Sequence, residues 1–257
     1  MKEVAQIVGT ADTVTLTGII LKTSPVGERD RRVVLLSKER GKISAFAKGA
    51  RRQDSQLLGT VQQFSFGSFR VIAGRGSYYQ IIGAEIQNYF TELRDDLVKI
   101  CYGTYFCELA DYYTRENLPA MEMMKLLYQS LRALSVPSLP MRLVRYIYEL
   151  RMIQLNGEAP QVFHCVKCGS EEHLHVFSCR EGGLLCADCQ AGHPDSLPVS
   201  DSAVYTMQFI LATPIEKLYT FTVAEDVLEE LRQVMGHYYD MYVDAKFKSL
   251  EMLEGME

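Results

Sequence analysis

Arg31-Arg-Val-Val-Leu-Leu-Ser-Lys-Glu-Arg-Gly-Lys-Ile-Ser-Ala-Phe-Ala-Lys48 decides the reading of the first third of this 257-residue chain. Arg31 to Ser37 is apolar and β-branched enough for a strand, and Ile43 to Lys48 alternates small and large residues as a second. Between them Lys38-Glu-Arg-Gly41 is a hairpin turn. Upstream, Thr15-Leu-Thr-Gly-Ile-Ile-Leu-Lys22 reads as a strand that Ser24-Pro-Val-Gly27 breaks. Downstream, the polar stretch Gly49 to Gly59 is a loop, and Phe64 to Ile72 alternates at period two. Gly74-Arg-Gly-Ser77 then turns the chain into Tyr78 to Phe90. Five antiparallel strands within about eighty residues, with glycines inside them where bends are needed, fit a small OB-type barrel. An open sheet or an SH3-like barrel is the competing architecture.

From Glu92 the period changes. Leu93, Leu97, Ile100, Cys101, Tyr105, Leu109 and Tyr112 recur at helical spacing. A second helix follows Pro119, and a third runs from about Met141 to Leu155, stopped by Asn156-Gly157 with Pro160 beyond. Helices resume after Ser200-Asp-Ser, a capping sequence, and the longest is expected over about Val223 to Leu250. The fold class expected is α+β and multidomain. It comprises an N-terminal OB-fold barrel (1–90), an α-helical domain (91–162 and 197–257) and an inserted four-cysteine module (163–196).

That module carries the most specific motif. Cys165-Val-Lys-Cys168 and Cys186-Ala-Asp-Cys189 are separated by seventeen residues, a spacing at which two knuckles wrap one tetrahedral zinc ion. Gly169 follows the first knuckle, where a tight turn needs a residue without Cβ. Four thiolates fill the shell, so one structural zinc per chain is expected, with no open position for catalysis. His164, His173, His175 and His193 flank the cysteines as weaker ligand candidates; His164 adjoins Cys165 too closely for both to bind one ion. Cys179 reads as a free strand residue, and Cys101 and Cys107 as helix core.

Hydrophobic residues make up 47% of the chain and charged residues 23%, as in a folded domain with an ordinary core. Met1 to Thr10 show no signal-peptide pattern, and no apolar run could span a bilayer. Cysteines at metal spacing suit a reducing compartment, so a cytoplasmic protein without a membrane is expected. Net charge is −5, yet its distribution is lopsided: thirteen Lys/Arg against seven Asp/Glu give +6 over the first ninety residues, leaving −11 for the rest. A basic module on an acidic body suits a polyanionic partner.

Lys42, Lys48, Arg51 and Arg52, with Arg29, Arg31 and Arg32 one strand away, are the candidate phosphate contacts. Phe46, Phe64, Phe66, Phe69, Tyr78 and Tyr79 are either stacking platforms for unpaired bases or barrel core, and about half are expected inside. Catalytic signals are weak. Gly41-Lys42-Ile43-Ser44 lacks the layout of a phosphate-cradling loop, Gly74-Arg-Gly76 is not a dinucleotide fingerprint, and no His-x-Glu precedes the cysteine pairs. A chain without enzymatic activity is expected.

The sequence resembles the bacterial RecO (recombination protein O) family over nearly its whole length, from Thr17-Gly-Ile-Ile-Leu-Lys22 to Lys246-Phe-Lys-Ser-Leu250. The resemblance is carried by Gly41-Lys-Ile-Ser-Ala-Phe-Ala-Lys-Gly-Ala-Arg-Arg52, by Leu93-Arg-Asp-Asp-Leu97 and by Phe177-Ser-Cys-Arg-Glu-Gly-Gly-Leu-Leu-Cys186. Met1 to Asp12 make a longer start than the family's, and Cys179 stands where a different residue is expected. The resemblance implies a DNA repair and recombination mediator that works in the nucleoid. Such proteins bind single- and double-stranded DNA, anneal complementary strands, and with RecR help load RecA onto DNA coated by single-strand binding protein (SSB). It further implies an OB domain, a helical domain, zinc on the four cysteines, and DNA contacts at Lys42, Lys48, Arg51 and Arg52. The family meets the acidic C-terminal tail of SSB through its helical part, for which Arg142, Arg145 and Arg151 are the candidates. A competing class is a protein-interaction adaptor in which the helical domain carries the function and the barrel is a scaffold.

Overall fold

The computed structural model describes residues 13–74, 78–193 and 196–256. The expectations for Met1 to Asp12 and for most of the turn Gly74-Arg-Gly-Ser77 lie outside the described residues. Two compact units divide the chain: residues 1–89 with 114–121, and residues 90–113 with 122–257.

The first unit is a barrel of β1 (Thr13–Val26), β2 (Asp30–Ser37), β3 (Gly41–Ala47), β4 (Phe66–Ala73) and β5 (Tyr79–Asn88). Its strands close in the order β1-β2-β3-β5-β4. β1 pairs with both β2 and β4, and a short parallel pairing of β3 with β5 closes the ring. The architecture is therefore a closed OB-type barrel, and the open-sheet alternative is excluded. Alternation puts Leu16, Ile20, Val33, Leu35, Ile43, Ala45, Phe69, Val71 and Ile81 inside, as period-two sequences require. Small Ala45 and Ala47 on β3 leave room for Phe69 to fill the lumen. At Gly67 the register of β4 on β5 shifts, and a Cβ there would stand 2.1 Å from the Glu85 carbonyl oxygen. Only glycine fits that bend.

Strand β1 runs past the expected break. Pro25 still pairs with Arg31, and the turn is made by Gly27 with φ +56°. The sequence Ser24-Pro-Val-Gly27 therefore ends the strand at its last residue, where φ must be positive, not at the proline. Residues 114–121 belong to the barrel unit: Asn117 N donates to Lys42 O, and Ser44 Oγ donates to Glu116 Oε1 at 3.2 Å.

The second unit holds α1 (Thr91–Arg94), α2 (Leu97–Tyr113), α3 (Met121–Ala133, of which Met121 falls to the barrel unit), α4 (Met141–Leu155), α5 (Asp201–Ala212), α6 (Glu225–Tyr242) and α7 (Lys248–Glu254). Helix α4 is its axis, packed against α2, α5 and α6. Every residue from Leu143 to Ile153 is buried, so the helix is covered all round. A three-stranded sheet, β6 (Leu174–Ser178), β7 (Gly183–Cys186) and β8 (Leu197–Pro198), is inserted between α4 and α5. Ser200 Oγ accepts from Ala203 N, the expected cap of α5. The long helix expected over 223–250 is instead two, α6 and α7, with extended residues between them. Phe247 is the reason: its ring sits 5.5 Å from Tyr105 and 6.0 Å from Tyr112. Burying that ring against α2 favours a bend over helix continuity.

Candidate nucleic-acid interface and metal centre

The row that crosses β2, β3 and β5 sets up the barrel's outer face. Arg32 is in register with Phe46, and Phe46 with Gln80. Their neighbours Val33, Ala45 and Ile81 point into the core, so these three side chains point outward. Tyr78, two residues before Gln80, joins them: its ring lies 5.3 Å from that of Phe46, with the Arg32 guanidinium 5.7 Å from the Tyr78 ring.

Lys48 follows β3 and is exposed, as are Arg51 and Arg52 in the loop beyond and Arg29 in the β1–β2 turn. That loop is fastened to that turn. Arg51 N donates to Arg29 O at 2.9 Å, Arg51 Nη1 donates to Gly27 O at 2.9 Å, and Gly49 N donates to Asp30 Oδ1 at 2.8 Å. The fold thus gathers Arg29, Lys48, Arg51 and Arg52 at one end of the barrel, beside Arg32. Arg52 is held fork-to-fork by Asp54, with both bonds at 3.1 Å.

Two of the seven basic candidates stand apart. Arg31 pairs with Ala47, so it lies on the opposite pleat from Arg32, half-buried, with Nη1 donating to Thr23 Oγ1 at 3.4 Å. Lys42 opens β3, six residues from Lys48, or about 20 Å along an extended strand. Arg40, which sequence reasoning passed over, instead enters the aromatic group: Nη1 donates to Tyr79 Oη at 2.6 Å, and its guanidinium lies 5.5 Å from the Tyr79 ring. The aromatics divide between core and surface. Phe64 and Phe69 are buried, and Phe46 and Tyr78 face outward, Tyr78 with 41% of its surface exposed.

The four cysteines converge. The Sγ atoms of Cys165, Cys168, Cys186 and Cys189 all lie within 4.8 Å of one another, with Cys168 and Cys186 3.6 Å apart. A tetrahedral zinc–thiolate shell with bonds of ~2.3 Å spaces its sulfurs by ~3.8 Å, so the donor set fits that ion. Local structure explains the convergence. Gly169 takes φ +77°, and its N–H donates to Cys165 O at 2.9 Å to close the first knuckle. Cys186 ends β7, and Cys189 N donates to Cys186 O at 3.1 Å to close the second.

The electrostatics also fit a cation. Burial acts to raise the Cys165 thiol pKa, but backbone N–H groups of Cys168, Cys186 and Lys167 aimed at its sulfur bring it down to about 6. The Cys189 thiol, hydrogen-bonded by Cys168 and Cys186, is pushed up to about 12. Such crowded sulfurs ionise together only around a positive charge. Outside them, Glu181 joins both knuckles, pairing with Lys167 Nζ and lying 3.7 Å from His193 Nδ1. His175 lies 3.7 Å from Asp201. No histidine joins the cluster among the described residues.

The arginines proposed for an acidic tail are corrected by their burial. Arg145 is an internal group: Nε donates to Glu149 Oε1 at 2.8 Å, while Tyr105 Oη donates to the same oxygen at 2.7 Å. Arg151 is buried too, with Nη1 donating to the carbonyls of Ile210 and Leu211 at the end of α5, where a cation satisfies helix-end carbonyls. Both sit on α4, whose residues from Leu143 to Ile153 are all buried. Arg142 lies nearer the surface, paired with Glu225.

Comparison with known proteins places both halves together. Residues 12–90 match the family described as "Recombination protein O N terminal", and residues 94–251 match "Recombination protein O C terminal". The chain is 33% identical to the DNA repair protein RecO of Bacillus pumilus, over 93% of each chain. It is 31% identical to that of Acetivibrio thermocellus, over 94% of this chain and 96% of the relative. With that of Bacillus subtilis it shares 30% identity over 93% of both. Matching in its barrel, its helical part and nearly its full length, the chain belongs to the RecO family.

Proposed function

We propose that this chain serves DNA repair and recombination by binding single- and double-stranded DNA on its barrel and annealing complementary strands. In the same reading it joins RecR to help load RecA onto single strands coated by SSB. The observation that carries the proposal is the tie between the β1–β2 turn and the loop after β3, which collects Arg29, Lys48, Arg51 and Arg52 beside Arg32. Two DNA strands repel each other, and a cationic surface that neutralises both raises their encounter rate. No bond is made or broken in annealing, so the reading needs no catalytic residue.

Residues 1–90 then act as the DNA-binding domain, with 91–162 and 197–257 as the helical domain that meets the acidic SSB tail. Residues 163–196 bind one zinc ion through Cys165, Cys168, Cys186 and Cys189. Four thiolates leave zinc no open coordination position, so its contribution is to fix the knuckles. The place of action is the cytoplasmic nucleoid.

The test is fluorescence polarisation with a short labelled single strand at low salt, followed by strand annealing with bare and SSB-coated DNA. Binding that weakens steeply with salt, together with accelerated annealing, supports the reading. An absence of binding at low salt overturns it in favour of the adaptor.

A further inference from the structure

We propose that the corner between Phe46 and Tyr78 is a subsite for an unpaired nucleobase, which gives the barrel a preference for single-stranded over duplex DNA. The proposal rests on the DNA-binding reading above and deepens it.

A five-stranded barrel has an interior for aromatics, and Phe69 is in it. Phe46 and Tyr78 are not, although outward positions on a strand favour polar residues. Their rings meet 5.3 Å apart at 56°, a corner open to solvent in which Tyr78 keeps 41% of its surface exposed. The cleft there encloses about 610 Å³, bounded by Phe46, Lys48, Gly74, Tyr78 and Gln80. Pockets of roughly 300–1,000 Å³ are the size that holds small planar ligands.

The chemistry of the rim narrows the occupant. The aromatic faces suit a flat, π-bearing group. The Gln80 amide, in register with Phe46, offers both donor and acceptor to the edge of such a group. The Arg32 guanidinium lies 5.7 Å from the Tyr78 ring, and Lys48 borders the cleft, so the flanks are cationic. A flat group with a hydrogen-bonding edge and anionic neighbours on both sides is a base within a polynucleotide. A duplex hides both faces of each base in its stack and cannot fill the corner. Phosphate contacts at Lys48, Arg51 and Arg52 serve either form. Strand state is therefore read at the rings, and charge is read at the loop.

The experiment uses the full chain, a single strand bearing one 2-aminopurine, and the matching duplex. Binding is followed by polarisation across a salt series and by 2-aminopurine emission. Stacking on an aromatic contributes ~1–3 kcal/mol per base, so Tyr78→Ala and Phe46→Ala should each weaken single-strand binding about tenfold or more. Both should leave duplex affinity and the salt slope unchanged, and Tyr78→Phe should bind like the parent. The 2-aminopurine emission should change on binding to the parent and not to the alanine variants. Equal losses on both DNA forms, or no loss on either, overturn the subsite while leaving the electrostatic reading in place. A parent chain that binds neither form overturns both. Retained duplex binding shows that the variants are folded.

Discussion

Arg51 N donates to Arg29 O at 2.9 Å, and this hydrogen bond, with those from Arg51 Nη1 to Gly27 O and from Gly49 N to Asp30 Oδ1, joins two separate basic loops into one cationic end. Charge at Lys48, Arg51 and Arg52 is therefore expected to act as a group. Each lost phosphate contact removes about 0.7–0.9 from the slope of log affinity against log salt, so reversing all three should flatten it by roughly two. Lys42→Glu should leave the slope nearly unchanged, because that residue lies about 20 Å along the strand from Lys48. Salt titrations of the triple variant and of Lys42→Glu check both expectations. A Lys42→Glu effect about one third of the triple variant's would mean that the charges act through the net field, not through one surface.

Chelation is expected to melt the cysteine module and then weaken the helical unit around it. The module is bound to the helices by specific contacts: the Phe177 ring lies 5.8 Å from Tyr238, and Tyr242 Oη donates to Cys179 O. Metal binding and folding are one equilibrium in such modules. Cys165→Ser or a strong chelator should lower the thermal midpoint and expose residues 163–196 to protease, and added zinc should reverse the chelator's effect. The α4 core draws its stability from apolar burial, so most far-ultraviolet helical signal should survive.

Gly41→Ala should weaken the barrel unit specifically. Gly41 has φ +60°, and a Cβ on it would stand 1.7 Å from the Leu118 carbonyl oxygen. The left-handed conformation costs a non-glycine residue ~1–2 kcal/mol before any clash is counted. Residues 114–121 must then move off β3, and trypsin should cut faster at Arg115. Unchanged cleavage and an unchanged midpoint would show that the segment adjusts without cost.

The helix Met141–Leu155 was legible to the residue, because Pro140 precedes it and Asn156-Gly157 ends it with Gly157 at φ +89°. The cysteine cluster was legible for a similar reason, since two short gaps fix local turns whatever surrounds them. What local sequence could not disclose depends on distant partners. The break between α6 and α7 is set by Phe247 meeting Tyr105, far away in the chain. Arg31 and Arg32 look alike in sequence, yet the pleat sends only Arg32 toward Tyr78. Arg40 could have been found as a basic turn residue, but its Tyr79 partner is 39 residues further along the chain. The same limit hid the fate of Arg145, whose spacing to Glu149 is also that of an ordinary surface pair.

The Arg145–Glu149 pair is expected to be the most sensitive polar feature of the helical unit. Burial works against the Arg145 charge, yet Glu149 and then Tyr105 outweigh it, and the guanidinium pKa is raised. Burial likewise pushes the Tyr105 hydroxyl well up, and the Glu149 charge adds to the shift. Tyr105 therefore keeps its proton and donates a hydrogen bond to the carboxylate. Removing Arg145 leaves the Glu149 charge without its counterion, and removing Glu149 leaves Arg145 only the exposed Glu254 carboxylate at 3.9 Å; breaking a buried pair costs about 3–5 kcal/mol, whereas exchanging a whole pair for apolar groups is often neutral. Glu149→Ala and Arg145→Ala should each destabilise in that range, and Arg145→Met/Glu149→Leu should recover much of the loss. Denaturant midpoints measure all three. If the double variant falls as far as the sum of the singles, the two charges are not coupled and the pair contributes only through volume.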